Sequence, residues 1–401
     1  MQLTAVQRIL GILLMVFSLT QLPPVLVSVL YQDGATGAFV TAFVLTLMLG
    51  VAFWLPVRHQ RRELRLRDGF VIVVMFWTVL SVLGALPFVL SAQPQISFTD
   101  ALFESVSGMT TTGATVLIGL DELPRSILYY RQQLQWLGGM GIIVLAVAVL
   151  PMLGIGGMQL YRAETPGPMK DAKLTPRIAE TAKALWYIYL GLTIVCAAAY
   201  WVAGMGVFDA VGHAFSTIAI GGFSTHDASL GHFDSAAIDA VAVVFMFAAG
   251  VNFALHFTVW RTKRLTSYWQ DSELRFYAGL MLLVVVITVL GLHFSHTEFG
   301  WGESLRYGVF QAVSIATTAG FTTAEYYNWP GFIAMLLLFA SFVGGCAGST
   351  GGGIKVIRVL LLIKQGLREI TRLVHPNAQI PVRVGEKCIP PRVIEAVWGV
   401  F

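Results

Sequence analysis

Three short segments of the chain decide its fold: Ser107–Thr115 (SGMTTTGAT), Ser216–Thr225 (STIAIGGFST) and Ser314–Thr323 (SIATTAGFTT). In each segment a serine stands six positions before an aligned glycine, and these glycines lie 109 and 98 positions apart along the chain. The spacing indicates a large tandem repeat. Glycine allows backbone carbonyls to be held in unusual directions, and the flanking hydroxyls can face water or an ion. Each segment is therefore typical of an ion filter.

The rest of the chain is strongly apolar. Its 401 residues are 56% hydrophobic and 12% charged, and its mean hydropathy is +0.73. Ile9–Gln32 and Gly34–Val57 each hold 24 residues without a charge, and about 20 suffice for a helix to cross a bilayer. A signal peptide is the alternative for the first run, but the length of the run favours a true span. Further spans are predicted at Gly69–Pro87, Gln133–Leu160, Ala184–Met205, Ala237–Trp260, Phe276–Leu292 and from Trp329 onward.

The distribution of charged residues predicts which loops face the cytoplasm. Basic residues gather in a few connections: Arg58, Arg61, Arg62, Arg65, Arg67, Arg162, Lys170, Lys173, Arg177, Arg261, Lys263 and Arg264. Short loops rich in such residues face the cytoplasm, so the glycine segments fall on the outer side. Carboxylates on that side either attract cations or keep the loops soluble: Asp121, Glu122, Asp227, Asp234, Glu298, Glu303 and Glu325. The formal net charge of +4 follows from the cytoplasmic loops, and no nucleic-acid partner is expected.

Each glycine segment follows a stretch that is too short to cross a bilayer. These stretches are Phe98–Ser107, Asp209–Phe215 and Ser304–Val313. We expect them to be re-entrant pore helices whose partly negative C-terminal ends favour a cation at the filter. Non-helical backbone at membrane depth is tolerated only inside protein or along a water-filled cavity, so three such loops imply a shared polar channel. The alternative is that the segments are simple tight turns.

The glycine segments and the sequences behind them resemble a known family. Thr111–Thr115, Ile220–His226 and Thr317–Thr323 are similar to the filters of the Trk/Ktr/HKT superfamily of potassium uptake proteins. The segments behind them match as well: Arg131–Gly141, Gly250–Phe257 and Gly344–Lys355. The extra pair of helices before the first repeat is similar to the TrkH/TrkG branch, whose pore-forming subunits begin in this way.

The resemblance implies an all-α polytopic membrane protein. Two N-terminal helices precede tandem repeats of span, pore helix, filter and span around a pseudo-fourfold pore. The implied function is potassium uptake across the inner (plasma) membrane through a cation-selective pore, with potassium as substrate and no covalently bound cofactor. The expected domains are a helix pair at 1–68, pore repeats at 69–180, 181–273 and 274–375, and a linker with the start of a fourth repeat at 376–401.

The resemblance also assigns the ion-binding residues. In that family a glycine in each filter is linked to selectivity for potassium over sodium, and the carbonyls before it replace water around the ion. The potassium-binding filter residues are then Thr111, Thr112, Gly113, Ile220, Gly221, Gly222, Thr318, Ala319 and Gly320.

A second glycine-rich stretch interrupts the apolar run that follows the third filter. Six of the ten residues from Gly344 to Gly353 are glycine, and each costs a helix about 0.8–1 kcal/mol relative to alanine, so the helix should break here. The stretch is not a phosphate-binding loop, because Ile354-Lys355 follows it where that motif has Lys-Ser or Lys-Thr. By resemblance it is an intramembrane gate loop, and a plain hinge is the alternative. Its residues are Gly344, Gly345, Gly348, Ser349, Thr350, Gly351, Gly352, Gly353 and Lys355.

Polar residues inside the predicted spans have several possible roles. Asn252 and His256 lie one helical turn apart, so they could line the pore or bridge to another helix, with a packing role favoured for His256. Arg131 and Gln135 are spaced in the same way near the outer end of a span. In the resembling family basic residues at such places support the filter, so Arg131 could hold a carbonyl or an acid of the pore helix.

Other functions find less support in the sequence. The three dispersed cysteines form neither a metal-binding spacing nor a disulfide framework, and an enzyme is not expected. A secondary cation or solute transporter with broken helices is the main alternative. The last apolar stretch, Val393–Phe401, is too short to span, so we expect the fourth repeat to be lacking. A non-conducting truncated subunit is therefore a further alternative.

Partners follow from the same resemblance. They are membrane lipid, a second copy of the chain in a homodimer, and a cytoplasmic nucleotide-binding regulatory subunit of the TrkA type. The basic cytoplasmic surface is either the dock for that subunit or the ordinary topology signal. Its residues include Arg358, Lys364, Arg368, Arg372 and Lys387.

Overall fold

The computed structural model describes residues 2–59, 66–141, 178–295, 299–375, 378–385, 387–389, 394 and 397. The later part of the predicted span Gln133–Leu160 and most of Val393–Phe401 lie outside the described residues, as do Arg61, Arg62, Arg65, Arg162, Lys170, Lys173, Arg177 and Glu298. The chain forms two compact units. The N-terminal unit is Met1–Pro166 with Thr175–Val241, and the C-terminal unit is Gly167–Leu174 with Ala242–Phe401.

The N-terminal unit is built from helices joined by short connections. They are α1 (Leu3–Leu19), α2 (Leu22–Tyr31), α3 (Thr36–Trp54), α4 (Leu66–Gly84), α5 (Leu86–Leu90), α6 (Phe98–Met109), α7 (Arg125–Gly139), α8 (Ile178–Val202) and α9 (Val207–Ala219), with 3₁₀ turns at Leu55–Val57, Leu120–Glu122 and Ser229–Phe233. Helix α1 packs along α3 and α4, and α7 packs against both α6 and α9. The Ser97 hydroxyl accepts the Asp100 N–H at 3.1 Å and so caps α6.

Helix α10 (Ala236–Ala249) begins in the N-terminal unit and continues into the C-terminal unit. The C-terminal unit contains α11 (Phe253–Thr262), α12 (Thr266–Gln270), α13 (Ser272–Phe294), α14 (Trp301–Ala316), α15 (Gly331–Val343) and α16 (Val356–Val374), with a 3₁₀ turn at Tyr326–Asn328. Strands β1 (Arg383–Val384) and β2 (Lys387–Cys388) form a small antiparallel hairpin. Helix α14 packs against both α13 and α15.

Several helices are long and apolar enough to cross a membrane. Among the described residues they are Leu3–Tyr31, Thr36–Val57, Val71–Leu90, Lys183–Val202 and Ser272–Phe294. These segments overlap five of the predicted spans. The predicted all-α membrane architecture is confirmed, and the small hairpin is the one addition to it among the described residues.

One predicted span has a different shape. In place of a straight helix over Ala237–Trp260, α10 and α11 meet at a bend of 93°. The Oδ1 atom of Asn252 accepts the Ala254 N–H at 2.8 Å and caps α11, which stabilises the break. Apolar length alone could not reveal the bend, because both halves are apolar. Asn252 therefore does not share a continuous helical face with His256, as the sequence suggested.

Two glycines let α1 and α3 approach closely. A Cβ atom on Gly50 would lie 2.9 Å from the backbone nitrogen of Met15 and 3.0 Å from the carbonyl oxygen of Gly11. A Cβ atom on Gly11 would lie 2.8 Å from the carbonyl oxygen of Gly50. Small residues at a helix crossing allow this backbone contact, which in a membrane supplies much of the packing energy.

We expect Gly50→Ala to destabilise the protein by about 1–3 kcal/mol, because the added methyl group must push α1 and α3 apart. Gly37→Ala is the matched control in the same helix, since no described atom lies within 4 Å of a Cβ there. Thermal unfolding of the purified protein in detergent measures both variants. Equal melting temperatures for the two variants would contradict the close approach.

Candidate functional site

The first filter segment begins where α6 ends in a Schellman motif. The Thr112 N–H donates to the carbonyl of Ser107 at 2.9 Å, and the Thr111 N–H donates to the carbonyl of Gly108 at 3.0 Å. These are the two bonds that define the motif. Thr111 occupies the left-handed position with a φ of +56°. The chain therefore turns sharply away from the helix axis at the start of the filter.

Helices α9 and α14 end in the same way. The corresponding bonds are Gly221 N–H to Ser216 O at 2.9 Å and Ile220 N–H to Thr217 O at 3.1 Å after α9, and Ala319 N–H to Ser314 O at 2.8 Å and Thr318 N–H to Ile315 O at 3.0 Å after α14. In all three copies the aligned serine supplies the carbonyl that accepts the N–H five positions later. This shared role accounts for the constant spacing between serine and glycine in the sequence.

Each turn places a β-branched residue where glycine is usual. Ile220 and Thr318 have φ values of +54° and +71°, close to that of Thr111. The left-handed conformation costs an L-residue roughly 1–2 kcal/mol. Two positions later the aligned glycines Gly113, Gly222 and Gly320 are left-handed too, with φ values of +78°, +78° and +85°. Strain repeated at equivalent positions is typical of a functional loop.

The first two filter segments touch each other within the N-terminal unit. A Cβ atom on Gly113 would overlap the carbonyl oxygen of Gly221, and a Cβ on Gly221 would come within 2.6 Å of the Gln135 Oε1 atom. At Gly320 no described atom lies within 4 Å of a Cβ, so the left-handed φ is the constraint there. The structure thus brings two of the predicted filters together and requires glycine at both contact points.

Side chains of α7 hold the second filter segment. Gln135 donates from Nε2 to the carbonyl of Gly221 at 2.6 Å, and its Oε1 accepts the Phe223 N–H at 3.0 Å. Gln132 donates from Nε2 to the carbonyl of Phe223 at 3.2 Å. All of these groups are buried. A carbonyl on each side of Gly222 is therefore fixed by an amide from a neighbouring helix.

Arg131 joins both filter segments through a buried ion pair. Its Nε lies 2.5 Å from Oε1 of Glu104 on α6, and the two side chains are 1% and 0% exposed. The guanidinium also donates to the Ser224 carbonyl at 3.1 Å and to the Thr115 hydroxyl at 2.9 Å, and it lies 4.3 Å from the Phe223 ring centre. Arg131 therefore holds an acid of a pore helix, as one reading of the sequence suggested. The sequence reasoning missed Glu104, whose signal was a carboxylate in the middle of a short helix, beyond the first turn where Asp100 lies.

A histidine and carboxylate cluster lies beyond the first two filter segments. The Nδ1 atom of His226 contacts the Asp121 carboxylate, and its Nε2 atom lies 3.7 Å from Oδ1 of Asp209. The hydrogen bond from His226 holds the pKa of Asp121 below its usual range. Partial burial opposes protonation of His226, but the two carboxylates raise its pKa above the ordinary value. The cluster ties the loops after the two filters to each other.

The glycine-rich stretch forms an irregular loop in the C-terminal unit. Helix α15 ends at Val343 and α16 begins at Val356, so the predicted break is present. The Gly352 N–H donates to the Thr318 hydroxyl at 2.8 Å, which joins the loop to the third filter segment. The Cys346 N–H donates to the carbonyl of Gly250 at 2.9 Å. The loop is thus anchored both to the third filter and to the bend between α10 and α11.

Two charged side chains also hold this loop. Glu273 on α13 accepts the Ala347 N–H at 2.6 Å, and the Lys355 ammonium donates to the carbonyl of Gly351. Lys355 itself is left-handed, with a φ of +82°.

His256 has a structural role. Its ring bonds to the Tyr268 hydroxyl at 2.8 Å and to the Ala248 carbonyl at 2.9 Å, which is the packing role that the sequence favoured for it.

Comparisons with known proteins give consistent matches along the chain. The model of the TrkH family, a cation transport protein family, matches residues 35–401. The "Trk system potassium uptake protein TrkH" of Vibrio parahaemolyticus is 58% identical over 403 residues, which cover 100% of this chain and 83% of that protein. The protein of the same name from Halomonas elongata is 57% identical over 401 residues, with the same coverage of both chains.

A solved structure matches the fold as well. It is the crystal structure of the potassium transporter TrkH from Vibrio parahaemolyticus, and its TM-score against this chain is 0.90 at 55% sequence identity. The match covers 100% of this chain and 82% of that chain.

We expect Arg131→Met to destabilise the protein by about 3–5 kcal/mol, because it leaves the Glu104 charge buried without a partner. The double variant Arg131→Met with Glu104→Gln should recover a large part of that loss, since no charge then remains in the site. Thermal unfolding in detergent of both single variants and the double variant completes the cycle. Losses that simply add would show that the two side chains do not interact.

Proposed function

The chain belongs to the TrkH family of cation transport proteins, and from this premise we propose that it takes up potassium across the inner membrane through a cation-selective pore. Its relatives are named as potassium uptake proteins. The observation that carries the proposal is the common geometry of three loops, each with left-handed residues at the aligned glycine and two positions before it. Simple tight turns do not require this strained pattern three times.

The proposed ion ligands are backbone carbonyls of the filter segments. They belong to Thr111, Thr112, Gly113, Ile220, Gly221, Gly222, Thr318, Ala319 and Gly320. Carbonyl oxygens that replace the hydration shell favour potassium, whose dehydration costs less than that of sodium. The left-handed turns support this role because they redirect the carbonyls away from the helix axis. The side chains then need not touch the ion, so Ile220 and Ala319 can stand where another repeat has threonine.

Helix ends add to the selectivity for cations. Helices α6, α9 and α14 each have their C-terminal end at a filter segment. The C-terminal end of a helix carries about half a negative charge, so each of these ends stabilises a positive ion near its own filter segment. The Schellman bonds satisfy some of these carbonyls without removing the dipole.

The loop from Gly344 to Gly353 is the proposed gate. The hydrogen bond between the Gly352 N–H and the Thr318 hydroxyl supports this role, because it joins the loop to a filter residue. Left-handed glycines at Gly344, Gly348 and Gly353 give the loop several hinge points. Movement of the loop would break hydrogen bonds in its middle, from the Phe253 N–H to the Gly348 carbonyl at 3.1 Å and from the Thr350 hydroxyl to the Ala249 carbonyl at 3.4 Å. Glu273 and Lys355 would keep the loop attached during that movement.

The proposal extends to repeats and partners. Pore repeats at 69–180, 181–273 and 274–375 follow the pattern of span, pore helix and filter. A homodimer within the lipid bilayer and a nucleotide-binding regulatory subunit of the TrkA type are the proposed partners. Basic residues on α16, including Arg368 and Arg372, would face that subunit on the cytoplasmic side.

Growth at low potassium tests the function. A bacterium that lacks its own potassium uptake systems should grow in low-potassium medium when it carries the gene for this protein. Uptake of rubidium by the same cells measures the transport directly. Failure of a well-expressed, membrane-inserted protein to restore either would overturn the proposal.

We expect Gly222→Ser to lower the ratio of potassium to sodium flux about fivefold, the factor that corresponds to roughly 1 kcal/mol of strain at a left-handed residue. Gly119→Ser is the matched control: Gly119 has a φ of +69°, and it lies outside the filter with no described atom near a Cβ. Fluxes of rubidium and sodium in liposomes measure the ratio. An unchanged ratio in Gly222→Ser, or an equal change in both variants, would count against the filter assignment.

We expect Thr318→Val to raise the resting flux about two- to tenfold, because it removes a hydrogen bond that is worth roughly 0.5–1.5 kcal/mol to the closed gate. Thr317→Val is the control, since the Thr317 hydroxyl bonds within its own helix, to the carbonyl of Val313 at 2.7 Å. Rubidium uptake without the regulatory subunit is the measurement. Equal fluxes in both variants would favour the plain hinge.

A further inference from the structure

Two imidazoles and a carboxylate converge at the outer ends of the first two filter segments. Asp121 follows the first filter, and His226 and His232 follow the second. One ligand atom from each residue lies within 4.8 Å of one atom from each of the others. The rings of His226 and His232 are stacked, with centroids 3.5 Å apart and planes 2° from parallel. Asp121 and His232 are exposed, so an ion can reach the cluster from solvent.

The donor set has the chemistry of a transition-metal site. Two imidazole nitrogens and a carboxylate oxygen suit Zn²⁺, which binds such ligands at about 2.0–2.2 Å and completes its shell with water. Magnesium and calcium prefer sites built from oxygen alone. Potassium, the proposed substrate, is also a poor match for imidazole nitrogen. The cluster is thus chemically separate from the filter.

A supporting carboxylate stands behind the central histidine. The Nε2 atom of His226 lies 3.7 Å from Oδ1 of Asp209, on the opposite side of the ring from Asp121. The Thr225 hydroxyl donates to the same oxygen of Asp209 at 2.7 Å and fixes it in place. A histidine that binds a metal through one nitrogen commonly donates from the other to a carboxylate. His226 is therefore oriented to present Nδ1 to an ion beside Asp121.

The backbone around the cluster is already ordered. The Leu120 N–H donates to Oδ2 of Asp227 at 2.9 Å, so the loops after the two filters are tied beside the site. His232 has to turn, because nitrogen lone pairs lie in the ring plane and two parallel rings cannot point at one ion. The Asp121 carboxylate has to draw back from the His226 Nδ1 atom, which it now contacts directly, so that the ion can enter between them. His232 is exposed and can turn about its Cβ–Cγ bond at little cost.

We propose that Asp121, His226 and His232 form a Zn²⁺ site on the outer face of the protein. The ion would join the loop after the first filter to the loop after the second. It would thereby restrain the two segments that meet at Gly113 and Gly221. Zinc at this position acts from outside the cell and does not occupy the ion pathway.

Zinc binding to the purified protein tests the proposal. The full chain is prepared in detergent without a polyhistidine tag, and Zn²⁺ alone is titrated in competition with a chromophoric chelator. The wild type should bind one equivalent, and His232→Ala should weaken that binding at least tenfold. His59→Ala is the matched control, since His59 is an exposed histidine on another connection and should leave binding unchanged. Titration with Co²⁺ should give the visible bands of a four-coordinate nitrogen and oxygen site in the wild type and in His59→Ala, and not in His232→Ala.

The results of these measurements distinguish failure of the zinc site from failure of the proposed transport function. Equal affinity in the wild type and His232→Ala, or no zinc bound by the wild type, overturns the proposal. If His232→Ala does not fold, Asp121→Asn makes the same test from the other loop. Restored growth at low potassium with no zinc binding would leave the proposed transport function in place and remove this site alone.

Discussion

The left-handed turn that closes each short helix is the constraint on which the rest of the structure depends. A residue at C′ in this conformation ends the helix, satisfies two carbonyls and sends the chain across the helix axis. Thr111, Ile220 and Thr318 perform this turn at a cost that glycine would avoid. A β-branched side chain at each position limits the alternatives open to the backbone. Strain is thus accepted in return for a single loop conformation.

The three filter segments share this turn but are held by different means. Amides from α7 fix the second segment, and the Arg131 ion pair joins it to the first. The third segment bonds through Thr318 to the glycine-rich loop. Several hydrogen bonds from a packed helix allow little movement, whereas one hydrogen bond to the glycine-rich loop can break and re-form. This difference supports a fixed role for the first two segments and a coupled role for the third.

The sequence predicted the fold well where local signals were strong. Charge-free runs located the spans, and the constant spacing from serine to glycine located three loops with the same turn, because the Schellman bonds are themselves local. The sequence did not predict the bend at Gly250–Asn252, because both flanking helices are apolar. The sequence did not predict the buried ion pair of Glu104, because its partner, Arg131, lies 27 positions away and no periodic pattern links the two. The contact of Asp121 with His226 joins residues 105 positions apart, so only the folded chain reveals it.

The ion pair of Arg131 and Glu104 shows why a charged group is used where an apolar pair could pack. A buried pair gains little net stability over hydrophobic residues of similar volume. Apolar side chains, however, could not donate to the Ser224 carbonyl or accept the Val116 N–H, which Glu104 does at 3.3 Å. Each loop bond depends on the opposite charge being present, since neither charge is tolerated alone. Helices α6 and α7 and the two filter segments must therefore assemble together, which couples the geometry of one filter to that of the next.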